Sequence, residues 1–110
     1  MSKVPENSYA IYQLKQTSEN MDRAFMPLKY LHEKHIPVLR EKYALVYQAP
    51  LEDGKTLDDL YLKFNLDHPA DYKGHSLSIS DVVVLWMDGT KTAYYVNDMG
   101  FTEVPEFLQE

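Results

Sequence analysis

Apolar and polar positions along this chain repeat with two different periods, and the switches between them mark out its elements. In Ser8–Leu14 (SYAIYQL), Ala10, Tyr12 and Leu14 alternate with Tyr9, Ile11 and Gln13. A run apolar on both sides and rich in β-branched and aromatic residues predicts a strand inside a sheet rather than at its edge. Residues 15–22 are polar and predict a loop, with residues 23–26 a short extended lead into the next element. From Pro27 the period becomes helical, since Leu28, Leu31, His32 and His35 recur at spacings of three and four. Proline suits the first helical position, where its missing N–H costs nothing. Ile36–Pro37 then ends a short helix, because the residue before proline is pushed out of the α region.

Residues 43–49 (YALVYQA) predict a second strand, closed by Pro50, and residues 51–55 a turn around Asp53–Gly54. Thr56 and Asp59 have the spacing of a capping box: a hydroxyl that accepts from the third helical N–H and a carboxylate that reaches back. Asp58 and Asp59 also put negative charge at the positive end of the helix dipole. Leu57, Leu60, Tyr61 and Phe64 follow as a helical stripe that ends near Asn65.

Val82–Met87 is a continuous apolar run, the pattern of a strand covered on both faces. Asp88–Gly89 supplies the left-handed residues of a two-residue hairpin turn, and Thr90–Asn97 returns antiparallel. That loop length places Met87, Leu85 and Val83 opposite Thr90, Thr92 and Tyr94. On the other face Trp86, Val84 and Val82 stand opposite Lys91, Ala93 and Tyr95. A three-residue loop with a bulge at Thr90 shifts this register by one. Residues 98–100 turn the chain, residues 101–104 form a short extended piece, and Pro105–Leu108 a helical turn. The sum is an α+β fold: a mainly antiparallel sheet of about four strands with two short helices in one compact domain, residues 8–108. Residues 1–7 are a polar, flexible tail.

Composition narrows the function classes. The chain has 110 residues, 17 acids against 11 bases, and a formal net charge of −6. Its lysines and arginines are scattered rather than clustered, so it lacks the basic footprint of a nucleic-acid binder or of an anionic membrane surface. There is no cysteine, which removes disulfides, thiolate zinc sites and a cysteine nucleophile. The N-terminal MSKVPENSYA has no secretory apolar segment, and Val82–Met87 is far shorter than the about 20 residues of a membrane helix. A cytoplasmic protein is the expectation.

Candidate chemistry is sparse. Gly74, His75, Ser76, Ser78, Ser80 and Asp81 gather polar groups just before the apolar strand. Serine and aspartate in that position commonly satisfy backbone donors. That makes Gly74, His75, Ser78 and Asp81, with Gly89 in the hairpin turn, structural residues first. His75 and Asp81 are the acid–base candidates if the chain is an enzyme. His32 and His35, three apart, lack the further ligands of a closed metal site. His68, before Pro69, reads as a turn residue, and the pairs Glu52–Asp53 and Asp58–Asp59 belong to a turn and a helix start. No catalytic, cofactor or metal residue is assigned, and no cofactor is expected. Nine tyrosines are an excess, and tyrosine is enriched where proteins meet proteins. A two-layer domain leaves one sheet face to be covered or used, so Trp86, Tyr94, Tyr95 and Phe101 are the partner-binding candidates.

GHSLSISDVVVL (Gly74 to Leu85) followed by TAYYVNDMGFTEVPEFL (Thr92 to Leu108) resembles the signature of the YodL-like domain family. YAIYQL, YALVYQAPL and TLDDLYLKFNLDHPADYKGHS upstream resemble the same family's earlier blocks. Trp86–Met87 departs from the pattern, standing where members often have a polar residue. The resemblance implies a Firmicutes setting, in small proteins or within large ones carried by plasmids and integrative conjugative elements. It brings no catalytic residues with it. The leading expectation is therefore a non-enzymatic protein-interaction module with an unidentified protein partner, no direct nucleic acid and no membrane. The alternatives are an acidic DNA mimic that blocks a DNA-binding or host-defence protein, and a small enzyme built on His75 and Asp81.

Overall fold

The computed structural model describes residues 7–21, 23–52, 54–66, 69–72, 74–98 and 100–108. The N-terminal tail up to residue 6, Asp53 of the expected turn, His68 and Met99 lie outside the described residues. Five strands make one sheet: β1 (Ser8–Leu14), β2 (Tyr43–Pro50), β3 (Val82–Met87), β4 (Thr90–Asn97) and β5 (Gly100–Glu103). Their spatial order is β2-β1-β3-β4-β5, and every neighbouring pair is antiparallel. Two helices accompany them, α1 (Leu28–Glu33) and α2 (Leu57–Leu66).

The β3–β4 hairpin has the two-residue loop and the register that its sequence predicts, with Val84 opposite Ala93 and Met87 opposite Thr90. Asp88 and Gly89 both take positive φ, 54° and 81°, as that turn requires. Lys91 lays its ammonium 5.1 Å from the centre of the Trp86 ring. The sheet has five strands rather than about four, because the extended piece after the hairpin pairs with β4 through Tyr95–Thr102 and Val96–Phe101. Strand β1 lies inside the sheet as expected, between β2 and β3. Its pairing with β2 slips between Ile11 and Tyr12, where Tyr47 and Leu45 are their partners and Val46 is left over as a bulge.

The sheet is covered on both faces, which makes three layers where two were expected. On one side Leu28 and Leu31 of α1, with Val38 and Phe107, pack over Ala10, Val82, Val84 and Tyr95. On the other, Leu60 and Phe64 of α2, with Tyr72 and Leu77, pack over Ile11, Val83 and Leu85. A continuous apolar strand such as β3 needs this arrangement, since both of its faces must leave water.

Each helix has an identifiable start or stop. Pro27 is extended (ψ 156°) and stands just outside α1, one residue earlier than its sequence suggested. The Leu28 N–H is taken instead by the Asn97 side-chain oxygen of β4, 3.1 Å away. The helix ends in a left-handed His35 (φ 58°), with Ile36 N–H on the Leu31 carbonyl and His35 N–H on the His32 carbonyl. That double closure is a Schellman motif, so the helix stops before Pro37 acts. At α2 the capping box is formed: Thr56 N–H donates to Asp59 at 2.9 Å and Asp59 N–H to the Thr56 hydroxyl at 3.4 Å. The Thr56 N–H and hydroxyl hold the Asp59 carboxyl below its ordinary range. Thr56→Ala should lower stability by about 1 kcal/mol, a shift of several degrees in Tm for a domain this small. A calorimetric scan of the variant that matched the parent chain would show the cap to be idle.

Candidate functional site

The site begins with one polar residue in an apolar strand. Gln13 of β1 is 4% exposed, so its amide must be satisfied inside the protein. The segment leading into β3 does this. Gln13 Oε1 accepts the His75 N–H at 3.2 Å. Gln13 Nε2 lies 2.9 Å from the His75 carbonyl, 3.0 Å from the Tyr72 hydroxyl and 3.1 Å from Asp81 Oδ2. The amide orientation is unambiguous, because exchanging its oxygen and nitrogen would set a donor against the His75 N–H and an acceptor against the His75 carbonyl.

The same segment is pinned by its backbone. Asp81 Oδ2 accepts the Ser78 N–H at 2.9 Å, and Asp81 N–H reaches the Ser78 carbonyl. Ser80 N–H and Asp81 C=O pair with Val96 of β4, and the Tyr43 hydroxyl of β2 donates to the Ser80 carbonyl at 2.7 Å. Ser80 holds a positive φ of 89°, a conformation that a side chain disfavours and that surrounding bonds must enforce. Gly74 is needed for space: a Cβ there would stand 2.5 Å from Gln13 Oε1 and 2.8 Å from the Tyr72 hydroxyl oxygen. The Ser78 hydroxyl, by contrast, is buried without a hydrogen-bond partner among the described residues.

His75 closes the group. Its Nδ1 is 2.7 Å from the Ser76 carbonyl, which can only accept, and 3.2 Å from Gln13 Nε2; the shorter contact assigns the ring proton to Nδ1. Nε2 is left 3.9 Å from Asp81 Oδ1, with the carboxyl 1% and the imidazole 39% exposed. Burial pushes the Asp81 carboxyl up to about 7, against the opposing pull of the Ser78 N–H, the His75 ring and Gln13. Burial also raises the hydroxyls of Tyr43, Tyr72 and Tyr95, and the neighbouring Asp81 charge adds to it in each.

His75, Ser80 and Asp81 line a cavity of about 420 Å³, whose other lining residues come from the end of β1 at Leu14 and from residues 15–18, 20, 21, 24 and 25. That stretch contains a single turn of 3₁₀ helix at Ser18–Asn20, and residues 23–25 turn rather than extend, with Ala24 N–H bonded to the Asn20 carbonyl. Asn20 ties the stretch down by donating to the carbonyls of Lys15 and Lys42. Two apolar side chains stand at its mouth: Met21 is 75% exposed and Phe25 60%. Phe25 has a φ of 61°, and its ring lies 6.1 Å from the imidazole of His75.

The residues expected to meet a partner are not gathered into one surface. Tyr95 is fully buried, with its hydroxyl donating to the Met26 carbonyl at 2.6 Å, so it offers a partner nothing to touch. Trp86 is half-buried over the α1 side, whereas Tyr94 and Phe101 are half-buried on the α2 side. His32 and His35 are both exposed, and His35 lies past the end of α1. Among the described residues no group of three or more histidine, cysteine, aspartate or glutamate side chains could hold a metal ion. No helix among them is long and apolar enough to cross a membrane. Sequence reasoning passed over Gln13 and Phe25. The first looks like an ordinary polar position in a strand; the second is a lone aromatic in a polar stretch, a cue that was there to be used.

No curated protein and no solved structure matches the chain. A family model described as the YodL-like domain matches residues 8–107, which takes in all five strands and both helices. The chain belongs to the YodL-like domain family.

Proposed function

We propose that this domain is a protein-interaction module without chemistry of its own, and that it grips its partner at the cavity mouth through Phe25 and Met21. The observation that carries this reading is Phe25: a 60% exposed aromatic held in a left-handed backbone conformation beside a cavity. Strain of that kind survives only where surrounding structure imposes it, and it gathers at binding and switching sites. Aromatic residues and methionine are also the types enriched at interface centres. The family resemblance supports placing the module among proteins of plasmids or conjugative elements.

The arrangement of His75 supports the non-enzymatic half of the proposal. A general base needs a ring nitrogen turned on its substrate. Here Nδ1 is engaged by the Ser76 carbonyl and Nε2 stands nearest Asp81. A second reading, a small enzyme using His75 and Asp81, is favoured by the meeting of His75, Ser80 and Asp81 at one cavity.

One experiment separates them. A photo-crosslinking phenylalanine analogue placed at position 25 in host cells should yield a discrete protein adduct. The same analogue at the exposed Asp58 position should not, and Met21→Ser should weaken the adduct at position 25. No adduct at position 25, together with a turnover lost in Asp81→Asn, would replace the interaction module with the enzyme.

A further inference from the structure

We propose that Gln13, His75 and Asp81 form a proton-operated latch. While the Asp81 carboxyl keeps its proton, residues 74–81 stay pinned to β1; its loss frees that segment and opens one wall of the cavity.

The geometry supplies the two states. Gln13 Nε2 has two hydrogens but three oxygen acceptors within 3.1 Å: the Tyr72 hydroxyl, the His75 carbonyl and Asp81 Oδ2. An ionised Asp81 therefore competes with the contacts that hold His75 in place. With the proton present, Oδ2 still accepts from Ser78 and Gln13 while Oδ1 faces Nε2, the lone-pair nitrogen of the Nδ1–H tautomer. Without it, a buried carboxylate confronts that lone pair, and among the described residues no lysine or arginine is paired with Asp81 to compensate the charge. The groups around the pair are Tyr72 from its own segment, Tyr43 from β2 and Tyr95 from β4, with Arg23 acting on Tyr43. All three phenols are raised and stay neutral at physiological pH, so the Asp81 carboxyl is the group left to titrate. The segment is also poised to move, since Ser80 sits in a strained left-handed conformation at the turn before β3.

The direction follows from linkage. An exposed carboxyl titrates at about 3.9, whereas burial in the closed form pushes Asp81 up to about 7. Between those values the closed form binds more protons than the open one, so rising pH favours opening, and above about 7 the effect levels off. Each pH unit inside the window is worth up to about tenfold in the opening equilibrium.

Native-state hydrogen exchange tests this at the Ser78, Ser80 and Asp81 amides, corrected for intrinsic rates, with the Ala10 amide of β1 as reference. The opening constant of the three should rise by up to about a hundredfold between pH 5 and pH 7 and then flatten, ahead of Ala10. In Asp81→Asn the rise should vanish, because the amide oxygen can replace Oδ2 and its NH₂ can face Nε2. An opening constant that does not change with pH, an equal rise at Ala10, or an undiminished rise in Asp81→Asn overturns the latch. If Asp81→Asn does not fold, the carboxyl ¹³C shift of Asp81 in the unaltered chain decides. A midpoint near 7 supports the latch, and one in the ordinary carboxylate range overturns it.

Discussion

Val84→Asp is expected to abolish folding. Val84 is 1% exposed on the central strand β3, flanked by Ala10 on β1 and Ala93 on β4, both fully buried. An aspartate there would bury a carboxyl in an apolar cluster that includes Leu28, Leu31 and Phe107, and would also forfeit the transfer free energy of the valine. Unpaired buried charge is among the most destabilising single changes known, and a domain of this size has only about 5–15 kcal/mol of stability to lose. The expected result is loss of the cooperative melting transition and of the near-ultraviolet signal of Trp86. A retained native melt would show that β3 is not the buried centre of the sheet. His75→Ala is the contrast: its imidazole is 39% exposed, so the variant should melt cooperatively with a loss of about 1 kcal/mol.

Phe64→Ala should be the next largest effect. Phe64 is fully buried and is the only described residue of α2 whose ring meets Tyr9, Tyr47 and Tyr72 edge-on, at 4.7 to 6.0 Å between centroids. Truncation removes those contacts and leaves a void that the rigid sheet beneath cannot fill. Large-to-small changes of this kind cost about 3–5 kcal/mol. Urea unfolding should show a lowered midpoint with little change in slope. A loss below about 1 kcal/mol would mean that α2 rearranges over the sheet and does not act as a fixed lid.

What could be read from the sequence was whatever depends on neighbours in the chain. The hairpin is one such case: apolar continuity in Val82–Met87, a two-residue Asp88–Gly89 loop and alternation in Thr90–Asn97 determine its register without further information. The start of α2 is another, because a hydroxyl and a carboxylate three residues apart suffice to satisfy its first N–H groups. The order of the strands was not legible, since β1 pairs with a strand about 70 residues further on, and pairing by itself leaves no local trace. The second covered face was legible only in part: the continuous apolar run of Val82–Met87 called for it, but nothing local named the element that supplies it. It depends on α1, a helix of six residues whose capping oxygen comes from Asn97. The site divides in the same way. His75 and Asp81 stood out as residue types, but Gln13, the residue that joins them to the sheet, is 68 positions from Asp81.

That separation has a consequence for how the chain is made. Of the five strands, the one made before the others, β1, occupies an interior place in the sheet, and β3, one of its two partners, follows only after β2 and both helices. Contacts between distant parts of a chain are slow to form because loop closure must precede them. Until β3 arrives, the edge of β1 that will pair with it stays open, because β2 pairs only with the opposite edge. Birth of this domain is therefore its most vulnerable moment, and a nascent chain halted before Val82 would display the same strand that the finished protein hides best.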